Sequence, residues 1–394
     1  MWWQWTITAM LACVALGWIA TIIEAVIGLP SVPNLAEVEP LAGVKAPRVS
    51  ILFSARDEAE KLGAALASFL SVDYPNLEVI AVNDRSEDAT RQILDAAAAG
   101  DPRLKVVHIT ELPHGWLGKT HGLQTAFEHS TGEWLVFTDA DVKFSKDVLR
   151  RAVALAAEQK IDHLPLLGFS ETTTVGERVL MSFFAMGFAV GTKPWRKSKP
   201  GSRFYVGVGA FQMVRRGAYE EMGEHKRLAM EVVDDVKLGK LMQNAGFRSQ
   251  AAFCGKMVSV YWHRGVPAII RGTEKNFFAA AQYSLGFAVA QLLSLLAGIG
   301  LPWFALLFAL TWEHGLARTA THSFAAIAIA IPVLMEMSVA VAFDTSPLYA
   351  LTQPVGGLLL GWMLIRSTYV TLKAGGITWR GTFYPLDELK RGSV

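Results

Sequence analysis

The sequence has few cysteines and few charged residues. Its 394 residues include two cysteines, Cys13 and Cys254, which is too few for a fold held together by several disulfides. This usage is compatible with a reducing cytoplasm. Charged residues make up 18% of the chain and hydrophobic residues 52%, a balance less polar than that of ordinary soluble domains. The composition therefore indicates a membrane protein.

The sequence also lacks an excess of positive charge. Its 37 basic and 35 acidic residues give a net charge of +2, and the basic residues are interspersed with the acidic ones. Nucleic-acid-binding domains instead gather Lys and Arg into patches. We therefore expect no nucleic-acid partner.

A P-loop is missing as well. The segment from Gly115 to Thr120 contains Gly118-Lys119, but Gly115 stands too close to this pair for the Gly-x-x-x-x-Gly-Lys-Ser/Thr spacing. This disfavours a P-loop ATPase. We predict instead a flexible loop that brings the Lys119 cation to phosphate groups.

Long uncharged runs lie at both ends of the chain. Residues 1–23 carry no charge, and at about 1.5 Å per residue they can cross a membrane as one helix. They lack the basic start of a secretory signal, so we predict an uncleaved anchor. Residues 276–312 are too long for one pass, and we expect a break near 298–302 that gives either two short passes or an interfacial helix followed by one pass.

Two further spans are expected near residues 323–343 and 348–370, which gives four passes after the central region and five in all. Glu336 interrupts the first of these two spans. An ionisable side chain at that depth is functional, faces other helices, or lies nearer the interface in a tilted span.

The central region alternates strands and helices. The predicted strands are 49–54, 77–83, 105–109 and 134–138, and the predicted helices are 58–70, 89–99 and 120–129. Such alternation predicts an α/β domain with a Rossmann-like, mostly parallel sheet.

The predicted organisation has five parts. They are a transmembrane anchor at 1–28, a linker at 29–47, an α/β domain at 48–275, membrane helices at 276–371 and a tail at 372–394. Basic residues favour the cytoplasmic side of a membrane, which predicts that the α/β domain and the tail are cytoplasmic. The basic residues that support this orientation are Lys45, Arg48, Lys373, Arg380, Lys390 and Arg391.

An acidic pair, Asp139 and Asp141, ends the strand predicted at 134–138. Ligands of open α/β sheets bind at the carboxyl ends of the strands, where both carboxylates can converge. Hard divalent cations prefer oxygen ligands, and a nucleotide diphosphate supplies more of them. The pair therefore predicts a shared metal and diphosphate site, with an Asp-rich surface turn as the alternative.

Polar residues also follow the first two predicted strands. Ser54-Ala55-Arg56-Asp57-Glu58 ends the first, and Asn83-Asp84-Arg85-Ser86-Glu87-Asp88-Ala89-Thr90 ends the second. One such cluster is an ordinary helix cap, whereas three at one edge indicate a ligand crevice. We expect Asp84 to accept hydrogen bonds from a nucleobase or ribose.

A later helix, predicted to begin near residue 231, carries Asp234 and Asp235 in its first turn. Capping and the helix dipole favour acids there in any helix. Group transfer to a hydroxyl nevertheless needs a base, and a carboxylate suits that role.

Together these motifs resemble the membrane-bound family 2 glycosyltransferases with the GT-A fold, including ceramide glucosyltransferase-like, hopanoid-associated and diapocarotenoid enzymes. The resemblance implies that Asp57 and Asp84 hold the nucleoside and that Asp235 is the general base. It also implies that Asp139 and Asp141 bind the diphosphate with Mg²⁺ or Mn²⁺, and that the reaction inverts the anomeric carbon.

One motif departs from the family. Many members carry Gln/Arg-x-x-Arg-Trp before the later spans, whereas this chain has Arg271-Gly272-Thr273-Glu274-Lys275 and no following tryptophan. Arg271 and Lys275 either replace the family's cations or mark the cytoplasmic border of a membrane helix.

The predicted site has three parts. Donor binding is assigned to Ala55, Arg56, Asp57, Glu58, Asp84, Lys119, Asp139, Arg271 and Lys275, metal binding to Asp139 and Asp141, and catalysis to Asp234 and Asp235. The expected reaction moves a sugar from a nucleotide diphosphate, with UDP the expected nucleotide, to a lipid hydroxyl or carboxyl at the cytoplasmic face of the inner membrane. The alternatives are a processive polysaccharide synthase and a non-catalytic nucleotide-binding membrane protein.

Overall fold

A computed structural model describes residues 2–43, 46–196, 202–343 and 345–394. Lys45, which contributed to the predicted orientation, lies outside them. The chain forms two compact units. The sheet unit comprises Ser31–Glu171, Pro194–Trp262 and Gly376–Val394, and the helical unit comprises Met1–Pro30, Thr172–Lys193 and His263–Gly375.

In chain order the described strands are β1 (Val49–Ala55), β2 (Leu77–Asp84), β3 (Leu104–Ile109), β4 (Trp134–Phe137), β5 (Val142–Phe144), β6 (His163–Ser170), β7 (Gln212–Arg215), β8 (Ala252–Val260), β9 (Gly376–Trp379) and β10 (Thr382–Pro385). The α-helices are α1 (Trp2–Gly28), α2 (Ala59–Leu70), α3 (Thr90–Gly100), α4 (Gly118–Glu128), α5 (Val148–Gln159), α6 (Val175–Thr192), α7 (Arg216–Met222), α8 (Asp234–Asn244), α9 (Val266–Gly272), α10 (Asn276–Ala280), α11 (Leu285–Leu295), α12 (Leu301–Phe308), α13 (Leu316–Ala342), α14 (Gln353–Ala374) and α15 (Leu386–Arg391).

The large sheet has the strand order β3-β2-β1-β4-β7-β6-β8-β5. Strands β1 to β4 are mutually parallel, with Val49 level with both Leu77 and Trp134. Strand β7 runs antiparallel to its neighbours β4 and β6, while β6 and β8 are parallel. The predicted α/β fold with a mostly parallel sheet is therefore confirmed.

The sheet is covered on both faces, which is why β1 and β2 are buried along their whole length. Successive strand side chains point to opposite faces, so Ile51 packs in one cluster with Phe69 of α2, and Leu52 packs in another with Phe127 of α4. This packing holds the carboxyl ends of the parallel strands at one edge, where the predicted site residues follow.

Glu78 of β2 ties the opposite end of these strands together. Its carboxylate is 1% exposed and accepts hydrogen bonds from Ser50 Oγ at 2.7 Å and from Thr131 N at 2.6 Å. Arg48 and Lys105 add ion pairs at 3.0 Å. Burial opposes the charge, but hydrogen bonds from Ser50, Thr131 and Lys105 outweigh it and hold the pKa of Glu78 at about 2.

We expect Glu78→Gln to lower the thermal unfolding midpoint at pH 7 by roughly 2–10 °C, because a charged hydrogen-bond acceptor of buried donors is lost. The folded pKa of Glu78 lies below its unfolded value, so its stabilisation is present above about pH 4.3 and disappears as the pH falls toward about 2. The difference from wild type should therefore shrink on acidification. Thermal scans across pH, with exposed Glu158→Gln as the matched control, test this, and equal midpoints for the two variants at pH 7 would contradict it.

In the described parts of the chain, four helical segments are long and apolar enough to span a membrane. They are Trp2–Ser31, Leu285–Thr311, Leu316–Ala342 and Pro347–Ala374. Three therefore follow the α/β region instead of the expected four. The difference arises at residues 276–312, where a π-helical turn at Leu296–Gly300 joins α11 to α12. Pro302 lies in the first turn of α12, directly after the π-helical turn. At this position its missing N–H does not break the helix.

The compact units do not follow the expected boundaries of the α/β domain and the tail. Helix α6, inside the range expected to be α/β, belongs to the helical unit, where Phe183 and Met186 pack with Ile299. A capping box formed by Thr174 and Glu177 begins this helix. The tail from Gly376 onward instead belongs to the sheet unit.

Glu336 in α13 is fully buried and faces other helices of the helical unit. Its Oε1 accepts a hydrogen bond from Ser182 Oγ of α6 at 2.9 Å, and its Oε2 accepts one from Gln353 Nε2 of α14 at 3.4 Å. Of the expectations for this residue, the one that it faces other helices is confirmed.

Candidate active site

Asp57 joins the loops that follow β1 and β2. Its backbone N–H donates to Ser86 Oγ at 3.1 Å, and its Oδ1 accepts from the backbone N–H of Glu87 at 2.7 Å. Asp57 and Arg85 both adopt left-handed backbone conformations, with φ of 54°. These hydrogen bonds bring the two predicted polar clusters together, and Asp57 connects the loops that carry them.

Asp88 also connects these loops, and the sequence analysis assigned it no role. Its Oδ2 accepts from Ala59 N at 3.0 Å, at the start of α2, and its Oδ1 accepts from Thr90 N at 2.8 Å, at the start of α3. One carboxylate therefore accepts hydrogen bonds from the first residues of two helices. An acidic residue directly before the helix predicted at 89–99 was the available signal.

Asp84 ends β2 with its side chain 1% exposed. Its two oxygens accept from Arg85 Nε at 2.7 Å and from Arg85 Nη2 at 3.1 Å. Gly118 lies so close to Asp84 Oδ2 that any side chain at position 118 would collide with it. Asp84 is therefore a buried carboxylate with a cation supplied by its own neighbour, a pairing that the sequence analysis missed.

Four predicted residues do converge. Lys119, in the first turn of α4, places its Nζ 2.9 Å from Asp139 Oδ1 after β4 and 3.2 Å from Asp234 Oδ1 in α8. Asp235 lies next along α8, where its Oδ2 accepts from the backbone N–H of Gly209 at 2.8 Å. The Lys119 and Asp234 side chains are 15% and 5% exposed, whereas Asp139 is 40% exposed. We call Lys119, Asp139, Asp234 and Asp235 the acidic cluster.

Burial and charge act in opposite directions within the acidic cluster. Burial lowers the pKa of Lys119, but the carboxylates of Asp139, Asp234 and Asp235 raise it well above its ordinary value. Burial raises the pKa of Asp234, and Lys119 only partly opposes this. Three acidic groups thus surround one permanent cation, which leaves the crevice able to accept further positive charge or a proton.

Gly209 keeps this crevice open. A Cβ at this position would lie 2.7 Å from Asp139 Oδ2 and 3.2 Å from Asp235 Oδ2, so both carboxylates face the space that a side chain would fill. The described residues from 202 to 211 form no strand, and β7 begins only at Gln212. The segment that contains Gly209 therefore lies directly against the candidate base, Asp235.

Asp141 has a different partner. Lys61 of α2 places its Nζ 2.9 Å from Asp141 Oδ2 and also donates to the carbonyl oxygens of Tyr261 and Trp262 at 3.3 Å. Within the described residues, no three His, Cys, Asp or Glu side chains are arranged to hold a metal ion. Carboxylate oxygens of Asp139 and Asp141 are the right donors for Mg²⁺ or Mn²⁺, but two carboxylates complete such a site only with oxygens from a ligand.

The remaining predicted residues fall into two groups. Ala55, Arg56 and Glu58 end β1 or follow it, in the sheet unit. Arg271 lies in the last turn of α9 and Lys275 directly precedes α10, both in the helical unit. The role of these two cations in donor binding stays a prediction.

The curled, mostly parallel sheet with helices has a GT-A-like fold. Residues 50–223 match the family described as Glycosyl transferase family 2, and this chain carries a family 2 glycosyltransferase domain.

Individual relatives are more distant. A 4,4'-diaponeurosporenoate glycosyltransferase of Staphylococcus aureus is 24% identical over 252 residues, which cover 62% of this chain and 58% of that protein. The "Probable glycosyltransferase YdaM" of Bacillus subtilis is 34% identical over 97 residues, 24% of this chain and 23% of that one. The matches thus span less than two thirds of these curated relatives.

Among solved structures, the chain is similar to the mannosyltransferase PcManGT of Pyrobaculum calidifontis, solved in complex with GDP-Man and Mn²⁺. The TM-score is 0.49 at 20% identity, and the alignment covers 92% of this chain and 99% of that one.

Proposed function

We propose that the chain is an inverting glycosyltransferase that moves a sugar from a nucleotide diphosphate, with UDP the expected nucleotide, to a hydroxyl or carboxyl group of a lipid. The observation that carries this proposal is the acidic cluster, in which Lys119 joins Asp139 to the carboxylates of α8. It supplies a cation for a leaving diphosphate and a carboxylate for the acceptor within one crevice.

Asp235 is the proposed general base. Its Oδ2 is oriented by the backbone N–H of Gly209, and it faces the opening that the missing side chain of Gly209 leaves. An acceptor hydroxyl there attacks the anomeric carbon with an oxygen electron pair and passes its proton to Asp235. The bond between that carbon and the diphosphate oxygen breaks, and its electron pair leaves with the diphosphate. A carboxylate acceptor needs no proton removal.

Lys119 is the proposed cation for the leaving group. Because its ammonium is held by Asp139 and Asp234 before the donor arrives, it needs little rearrangement to stabilise the charge that develops on the diphosphate. Asp234 keeps this ammonium oriented from the buried side. In the same crevice, Asp84, Asp57 and the end of β1 are proposed to hold the nucleoside.

Asp139 and Asp141 are the residues that would hold Mg²⁺ or Mn²⁺. A bound divalent cation would neutralise negative charge on the diphosphate. Each carboxylate is paired with a lysine, Asp139 with Lys119 and Asp141 with Lys61. When the diphosphate binds together with a divalent cation, the cation can replace the lysines as the positive charge beside these carboxylates.

A lipid acceptor is supported by the four helices able to span a membrane and by the name of the relative 4,4'-diaponeurosporenoate glycosyltransferase. We place the protein in the inner membrane with its catalytic domain in the cytoplasm, on the basis of the basic residues after the first span and in the tail.

The test is to incubate membranes that contain the protein with a panel of radiolabelled nucleotide sugars and to identify labelled lipids by mass. We expect one donor to add a single sugar to a lipid, and with a hydroxyl acceptor we expect product formation by membranes that contain Asp235→Asn to fall by about 10²-fold or more. A long polysaccharide product would identify a processive synthase instead. Nucleotide binding without transfer to any lipid extract would identify a non-catalytic protein.

A further inference from the structure

The C-terminal tail forms a β-hairpin in the sheet unit. Strands β9 and β10 pair antiparallel with Trp379 opposite Thr382, which leaves Arg380 and Gly381 as the two turn residues. Both have positive φ, 49° and 78°, as a tight type I′ hairpin turn requires. The arginine therefore occupies a backbone conformation that favours glycine or asparagine, at the tip of the hairpin.

This hairpin contacts the loops that build the nucleotide crevice. Arg380 Nη2 donates to Glu58 Oε1, after β1, at 2.9 Å. The hydroxyl of buried Tyr384 accepts from the backbone N–H of Gly118, at the start of α4 and directly before Lys119, at 3.3 Å. The tail thus touches two of the predicted donor-binding segments, although it lies more than 250 residues from both in sequence.

Unsatisfied donors lie at the same place. Arg380 Nη1 and Arg56 Nε are buried and have no hydrogen-bond partner among the residues that the structure describes. The carboxylate of Asp57 is 3.9 Å from Arg56 Nε, too far for a hydrogen bond. A buried donor without an acceptor is destabilising, so two guanidinium groups with spare N–H groups point to an anionic ligand.

The neighbouring residues indicate which part of the ligand the two guanidinium groups bind. Tyr384 of the same hairpin contacts the backbone of Gly118, directly before Lys119, and Lys119 Nζ lies 2.9 Å from Asp139 Oδ1. The hairpin therefore contacts the segment that carries the cation assigned to the diphosphate of the donor. Guanidinium groups bind phosphate oxygens through two parallel N–H donors, with charge-assisted bonds about twice as strong as neutral ones.

We propose that the hairpin is part of the donor site, where Arg380 and Arg56 bind the diphosphate of the nucleotide sugar and the bound donor holds the hairpin against the crevice. This rests on the proposed function. In the absence of donor, Glu58 occupies one edge of the Arg380 guanidinium and keeps it in position. The tail then takes part in donor binding, in addition to carrying the basic residues that indicate its side of the membrane.

The test measures the affinity of the detergent-solubilised full-length protein for UDP, GDP, uridine and guanosine, each with Mn²⁺, by titration calorimetry. Arg380→Ala should lower the affinity for the diphosphate that the wild type binds by about 10- to 100-fold, because a charged hydrogen bond is lost. The affinity for the matching nucleoside should change by less than about 3-fold. Arg380→Lys should recover part of the loss. The matched control is Arg391→Ala, which removes an exposed cation from α15 of the same tail.

A second measurement does not depend on the variant folding. In the wild-type protein, amide hydrogen exchange in residues 376–385 should slow when the bound diphosphate is added. Equal affinities for Arg380→Ala and Arg391→Ala, or unchanged exchange in the hairpin while the diphosphate binds, would overturn the inference and leave the proposed function intact. Failure of the wild type to bind either diphosphate would instead remove the proposed function, and the inference with it.

Discussion

Asp235→Asn is expected to reduce sugar transfer by about 10²- to 10⁴-fold, the usual contribution of a general base. Asparagine is close in shape to aspartate and can still accept the hydrogen bond from Gly209 N, so the local fold should persist. It cannot take the acceptor proton. The measurement is the initial rate of lipid glycosylation in membranes, normalised to the amount of protein.

The matched control for this prediction is Asp95→Asn, which neutralises an exposed carboxylate of α3. This variant should keep the wild-type rate, and Asp235→Asn should keep the wild-type affinity for the nucleotide diphosphate. A transfer rate for Asp235→Asn within a factor of about two of the control would exclude Asp235 as the base for a hydroxyl acceptor. If the acceptor identified by mass is a carboxylate, Asp235 has only to orient the acceptor, and the loss of transfer rate in Asp235→Asn should be smaller.

Lys119→Ala is expected to reduce the rate by about 10²- to 10³-fold, as removal of one preorganised electrostatic group does in other enzymes. The variant also leaves three carboxylates facing one another without their cation.

Lys226→Ala is the matched control for Lys119→Ala, since Lys226 is an exposed lysine whose partner is Glu224. Initial rates at pH 7 should be unchanged for the control and reduced for Lys119→Ala. An unchanged rate in Lys119→Ala would rule out the assigned electrostatic role. A thermal scan of each variant checks that the rates refer to folded protein.

Four of the eight strands of the large sheet, β1 to β4, could be predicted because they carry an unambiguous pattern. Apolar runs such as those in β1 and β2 are buried on both faces, and each is followed by a helix of amphipathic spacing. The bounds agree with the structure to one or two residues. The strands β5 to β8 were not predicted, because they are short or irregular and depend on neighbours distant in sequence.

The site was predicted in part for the same reason. Asp139, Lys119 and the α8 carboxylates each end or begin a regular element, so topology alone brings them to one edge. Their partners could not be predicted in this way. The pairing of Asp141 with Lys61 depends on which face of α2 meets the strand ends, and the contact of Arg380 with Glu58 joins segments with no local relation.

By itself, the sequence determined that the chain has an apolar helix near its N-terminus, apolar helices toward its C-terminus and a family 2 glycosyltransferase domain between them, because hydrophobic length and strand–helix alternation are local properties. Only the tertiary structure decided which lysine faces which aspartate, that the α6 helix belongs with the helical unit, and that the tail contacts the loop after β1 and the start of α4. Those features depend on packing between segments far apart in the chain, and no periodicity within one segment records them.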